Sequence, residues 1–246
     1  MNGLSATFER ELRAYFLSPL AYVVLFFLLV VNGGVFSLIV AFLNDPMAPP
    51  GRPLDLFFGG TLFFWLVLLF ATPVLTMRTL AEERRSGSLE LLMTAPVTET
   101  QVVLGKYLAA LAFFVVTWLP TGVYVALVAR KTPVDGGVVA AGYLGIFLLG
   151  ALLLAIGVFA SAMTANQIVA AVVGFALSLT LFGLSLVEFL VQASWAKEVF
   201  GHLSLTQLMA DFSRGIVDSR RLVFILSTTV FFLFLTTRAL EAKKWR

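Results

Sequence analysis

The chain has 246 residues, of which 60% are apolar and only 13% charged, and its mean hydropathy is +0.98. Soluble domains carry about 25% charged residues and single cores stop growing near ~250 residues, so this apolar surplus excludes a soluble fold and points to a polytopic membrane protein. With no cysteine and one histidine, disulfides, thiolate chemistry and a histidine metal cluster are excluded, and the net charge of +3 suits the flanks of membrane spans better than nucleic acid.

Residues 1–19 form the first unit. Leu4, Phe8, Leu12 and Tyr15 recur at helical spacing with Glu9, Arg10 and Arg13 elsewhere on the wheel, which predicts an amphipathic helix lying at the membrane interface. Pro19 ends it, and two spans fill residues 20–77, at Leu20–Leu43 and Leu56–Met77. Each has the ~20 apolar residues that a bilayer core requires.

Residues 78–106 hold the densest charge in the chain. Arg78, Glu82, Glu83, Arg84 and Arg85 are expected to extend the second span into water as a polar helix, which Ser86-Gly87-Ser88 breaks. Leu89-Glu90-Leu91-Leu92-Met93 then predicts a short apolar helix, with Ser88 as its cap and Glu90 at its positive end. Pro96 stops it, and Thr98-Glu99-Thr100-Gln101 has capping-box spacing. A short apolar helix between two breakers needs a partner surface.

Residues 107–191 supply three more spans, Tyr107–Ala129, Val138–Met163 and Ile168–Val191. Residues 192–221 form a long loop, in which Ser204-Leu205-Thr206-Gln207 reads as a cap and Leu205, Leu208, Met209, Phe212 and Ile216 share one helical face. The sixth span, Leu222–Thr237, is short and is expected to borrow from its flanks or to sit where the bilayer thins, before the tail at 238–246. The fold class is therefore an all-α bundle of six transmembrane helices. The small-residue pairs Ala151/Ala155, Gly157/Ser161 and Gly174/Ser178 suit close helix contact.

An even number of spans puts both termini on one side. If that side is the cytoplasm, it holds 10 Lys/Arg against 7 outside, a weak positive-inside bias that the Arg220-Arg221 pair opposes. Glu188 is the one formal charge within a span and so a functional candidate by default, but it lies only a turn from the end, where snorkelling to the interface explains it without function. No catalytic motif is present. Gly105-Lys106-Tyr107 has neither the spacing nor the hydroxyl of a phosphate-binding loop, and neither G-x-S-x-G nor H-E-x-x-H occurs. No cofactor is expected on this chain.

The stretch from Glu82 to Thr98, followed by Gly105-Lys106-Tyr107-Leu108, resembles the cytoplasmic signature of ABC-2 type transporter permeases: a charged run, Gly-Ser-Leu-Glu-Leu-Leu, a proline, then Gly-Lys-Tyr. Glu9-Arg10-Glu11-Leu12 with Ser18-Pro19 is similar to that family's leading amphipathic helix. Phe212-Ser213-Arg214-Gly215-Ile216-Val217-Asp218 resembles the segment before the last span in gliding-motility and nitrous-oxide-reductase-maturation permeases.

The resemblance implies cytoplasmic termini in a bacterial inner membrane and a second permease subunit. It also implies a separate cytoplasmic ATPase, present in two copies, that carries ATP and Mg. Glu82, Glu83, Arg84, Arg85, Gly87, Leu89, Glu90, Leu91, Leu92 and Pro96 would form the coupling element to that ATPase. An exporter subunit is the leading expectation. The alternatives are an anchor that passes ATPase work to a periplasmic or envelope machine, and a stand-alone secondary transporter.

Overall fold

A computed structural model describes residues 3–47, 51–87, 97–190, 201 and 203–244. All regular structure among these residues is helical, and six helices are long and apolar enough to cross a membrane. Helix α1 (Gly3–Leu17) and helix α2 (Pro19–Leu43) are separated by Ser18, which is extended at φ −83°, ψ 123°, and Pro19 takes the first helical position where its missing N–H costs nothing.

The apolar run Leu56–Met77 is not one helix, contrary to the sequence expectation. Residues Pro53–Asp55 and Leu56–Gly60 form a short coiled turn that breaks at Phe58 (ψ 63°) and Gly59 (φ 95°). Helix α3 (Leu62–Thr76) starts only after it, capped by Thr61 Oγ1, which accepts from the Phe64 amide at 3.4 Å. The physical reason is the Gly59-Gly60 pair: Gly59 takes a left-handed φ open to glycine, and the indole N–H of Trp65 donates to its carbonyl at 3.2 Å.

The charged extension of the second span is also offset rather than continuous. Residues 77–80 form turns, and helix α4 (Ala81–Ser86) follows, closed by Gly87 at φ 71° in the left-handed conformation of a helix C-cap. Leu80 and Ala81 are fully buried at this break. Leu89, Glu90, Leu91, Leu92 and Pro96 lie outside the described residues.

Helix α5 (Glu99–Trp118) begins with the capping box, Thr98 and Gln101 each accepting from the other's amide at 3.3 and 3.2 Å. A 3-10 turn at Leu119–Thr121, which contains Pro120, leads into helix α6 (Gly122–Ala129) within the third span. Helix α7 (Gly136–Met163) is the hub of the bundle: 83% of its most apolar stretch is buried, against 17% for the last span. Its glycines let neighbours approach: a Cβ at Gly142 would meet Phe58, one at Gly145 Met209 and Phe212, one at Gly150 Phe114, and one at Gly157 Thr76.

Helix α8 (Gln167–Leu190) packs on α7 and α3, with Gly174 against Ala160 and Pro73. Its cap is Asn166, whose Oδ1 accepts from the Ile168 amide at 2.9 Å. Helix α9 (Leu205–Ser213) buries Leu205, Leu208, Met209 and Phe212 against α7 and the Phe57–Phe58 turn. Ile216 does not share that face: the helix ends at Ser213, the chain reverses at Gly215 (φ 82°), and Ile216 is exposed. Helix α10 (Ser219–Lys244) is the sixth span, extended beyond Leu222–Thr237 on both sides.

Candidate functional site

The chemistry of the chain gathers where α1, α4 and the start of α5 meet. Helix α1 runs beside α5 in the same direction: Gly3 lies against Val97 and Gln101, Thr7 against Gly105, and Tyr15 stacks on Phe113 with ring centroids 5.3 Å apart. The buried residue of α1 is Thr7, while Leu4, Phe8, Leu12 and Tyr15 are half-buried along the same flank. Gly105 makes the contact possible, since a Cβ there would sit 2.8 Å from Thr7 Cβ and 3.2 Å from the Phe8 amide nitrogen.

One residue further, Lys106 is 1% exposed and lies between two carboxylates. Its Nζ is 2.9 Å from Oε1 of Glu11 on α1 and 2.9 Å from Oε1 of Glu83 on α4. Arg10 closes the set from outside, with one guanidinium nitrogen 2.7 Å from Glu11 and 2.8 Å from Glu83. Two cations and two anions thus compensate one another around the buried Lys106, the condition under which buried charge is tolerated. Burial alone would raise the Glu11 carboxyl, but Lys106 and then Arg10 outweigh it and hold Glu11 below the ordinary value. Burial likewise works to lower Arg10, and Glu11 and Glu83 together raise it instead. The Tyr15 phenol, pushed up by burial and by the Glu11 charge, donates to the Leu75 carbonyl at 2.8 Å and ties α1 to the end of α3.

The turn between α3 and α4 is fixed from α7. Ser161 Oγ accepts from the amides of Leu80 at 3.1 Å and Ala81 at 3.0 Å, and donates to the Met77 carbonyl at 3.1 Å. These amides open α4 and have no partner within it. Arg84 reaches the other way and donates to the Ala162 carbonyl at 2.7 Å, at the cationic-friendly C-terminal end of α7. The Gly157/Ser161 pair therefore does more than admit a close neighbour; its serine completes the backbone of another helix.

Of the residues singled out from sequence, Glu83, Arg84 and Gly87 belong to this joint, Glu82 is exposed at the rim of a cavity beside it, and Arg85 faces outward. Glu188 falls in the last turn of α8, and its side chain lies outside the described residues. Sequence reasoning missed Glu11, Lys106 and Ser161 as site residues. The available signal was Lys106, a lone cation eight residues into an otherwise apolar helix, directly after a glycine.

A family model for the ABC-2 family transporter protein matches residues 52–237, about three quarters of the chain. The chain belongs to the ABC-2 transporter family. It is accordingly the membrane permease component of an ABC transporter and not the catalytic one. No curated protein matches the sequence significantly. In this permease the Gly-Lys-Tyr signature has a structural meaning residue by residue: Gly105 admits α1, Lys106 gathers two carboxylates, and the Tyr107 hydroxyl donates to the Ala151 carbonyl of α7 at 3.2 Å.

Proposed function

We propose that this permease is the membrane subunit of an ATP-driven exporter in a bacterial inner membrane. Both termini lie in the cytoplasm, and two copies of a cytoplasmic ATPase carrying ATP and Mg act on a pair of permease subunits. The residues 87–96 receive the ATPase stroke, with Leu89, Leu91 and Leu92 seated in a groove of the ATPase and Glu90 adding a polar contact. The observation that carries this reading is the placement of the segment's two ends. Glu83, four residues before it, and Lys106, ten residues after it, meet in one buried ion cluster, so a push on the segment moves α1, α4 and α5 together. Arg10, Arg13, Arg78, Arg84, Arg85 and Lys106 gather at this same end, which supports its cytoplasmic placement. On the opposite side, Arg221 is held by Asp211 at 2.7 Å and Gln207 at 2.9 Å; it is a paired structural cation, which weakens its vote against this orientation.

Leu92→Asp tests the coupling. Truncating one interface anchor costs about 2–4 kcal/mol of binding, so the variant should insert at normal levels yet lose the ATPase on co-purification. Normal ATPase association and transport in that variant would refute the assignment. Because the chain has no cysteine, a single cysteine replacing Gly87 also reports the side of the membrane, and its labelling from outside intact cells would overturn the orientation.

A further inference from the structure

A cavity of about 220 Å³ opens between α1, α2 and α3, at the level where their apolar faces give way to charge. Glu11, Glu83 and Lys106 line one wall and neutralise one another there with Arg10. Two further charged residues line it, Arg78 and Glu82, both exposed and neither in an ion pair among the described residues. The cavity thus offers one free cation and one free anion, four positions apart in the chain.

Val24 and Val74 at its floor are also walls of a second, almost wholly apolar groove of about 610 Å³ between α2 and α3. This groove passes Phe27 and Phe70 and ends near Val31 and Phe63. Val31 lies ten residues along α2 from Ala21, and Phe63 eleven residues along α3 from Val74. At ~1.5 Å per residue either path is about 15 Å, half of the ~30 Å hydrocarbon core. Cavity and groove together are one leaflet deep.

We propose that this cleft is a site for a zwitterionic phospholipid with a primary amine, of the phosphatidylethanolamine class, drawn from the surrounding leaflet. The phosphate pairs with Arg78, whose guanidinium presents a fork of donors suited to phosphate oxygens. The ammonium pairs with Glu82, and one acyl chain fills the groove between α2 and α3. Charge complementarity selects the class: a phosphoglycerol headgroup satisfies Arg78 but leaves Glu82 facing an anion with no cation between them. A lipid held here touches α1, α2 and α3 at once and replaces water in a cleft whose lower walls are apolar.

The test uses the full-length chain in nanodiscs of equal phosphatidylethanolamine and phosphatidylglycerol, released for native mass spectrometry. The wild type should retain a phosphatidylethanolamine adduct in preference to phosphatidylglycerol. Arg78→Gln should lower that adduct roughly tenfold or more, as expected for a lost charge-assisted contact. Glu82→Gln should erase the preference between the two lipids. Both side chains are exposed, so neither change threatens the fold, which circular dichroism checks. No lipid preference in the wild type, or an Arg78→Gln variant that retains phosphatidylethanolamine like the wild type, overturns the proposal. So does a photo-crosslinker at Phe70 that captures a second copy of the chain instead of lipid.

Discussion

Replacing Lys106 by Met keeps the apolar stem and removes the cation that Glu11 and Glu83 share. At an effective dielectric near 20, each ion pair at ~4 Å between charge centres is worth about 4 kcal/mol before desolvation. Releasing the ammonium from burial returns several kcal/mol of that. What remains is two carboxylates, 15% and 16% exposed, beside Arg10, whose side chain is 52% exposed and therefore screened. Protonation caps the penalty: carrying one glutamate from its ordinary pKa of ~4.3 to 7 costs about 3.7 kcal/mol. Lys106→Met should therefore cost about 2–4 kcal/mol at pH 7. The sign of its pH dependence is distinctive. In the wild type the Glu11 pKa is lowered, so its contribution holds above the ordinary glutamate value and is lost only as pH falls through the depressed one. In the variant Glu11 loses the cation that chiefly lowers its pKa, so its folded value rises and the deficit present at pH 7 is relieved as pH falls. Thermal unfolding of the full-length chain in detergent at pH 7 and pH 5 measures this, and the gap to wild type should narrow at the lower pH. Wild-type stability at pH 7, or a gap unchanged between the two, would refute the clamp.

Gly105→Val places a branched side chain where Thr7 Cβ already lies 2.8 Å from the ideal Cβ position; overpacking of this kind costs about 1–3 kcal/mol, and trypsin should cut at Arg10 and Arg13 faster once α1 is displaced. Ser161→Ala strips the acceptor from the Leu80 and Ala81 amides, a loss of about 1–3 kcal/mol that hydrogen exchange should report as faster opening at residues 80 and 81. Glu11→Gln should be less stable than wild type at pH 7, and the difference should vanish as pH falls below the depressed Glu11 value, as read by thermal unfolding across an acid series.

The spans were legible because their signal is length alone: ~20 apolar residues must be a helix once the solvent is lipid. Caps were legible for the same local reason, as at Thr98 and Gln101, where the partners are three residues apart. The break at Gly59 was not, since an apolar run hides a kink when hydropathy is the only measure. The ion cluster was hidden by distance in sequence. Glu11 and Lys106 are 95 positions apart, and Ser161 lies 80 positions from the Ala81 amide it accepts from. Nothing in the pattern around either end says that they meet. The charged run at 82–85 was visible, but its division of labour was not: Glu83 and Arg84 turn inward to Lys106 and Ala162, while their neighbours stay outside.

That division bears on how force entering at the 87–96 segment would spread. A loop joined to two independent helices would dissipate a push by bending at each junction. Here the junctions are not independent. Lys106 binds the start of α5 to α4 through Glu83 and to α1 through Glu11, and Tyr15 binds α1 to the last turn of α3. Ser161 and Arg84 then bind α4 to the end of α7, the helix on which α8, α9 and α10 also pack. Bending any one junction requires breaking a buried charged or backbone contact, each of which opposes motion by about 1–3 kcal/mol. Moving the set as one body breaks none of them. Under the proposed coupling, the low-energy response to the ATPase is therefore a concerted displacement of α1, α4 and the root of α5 together with the end of α7 that holds them.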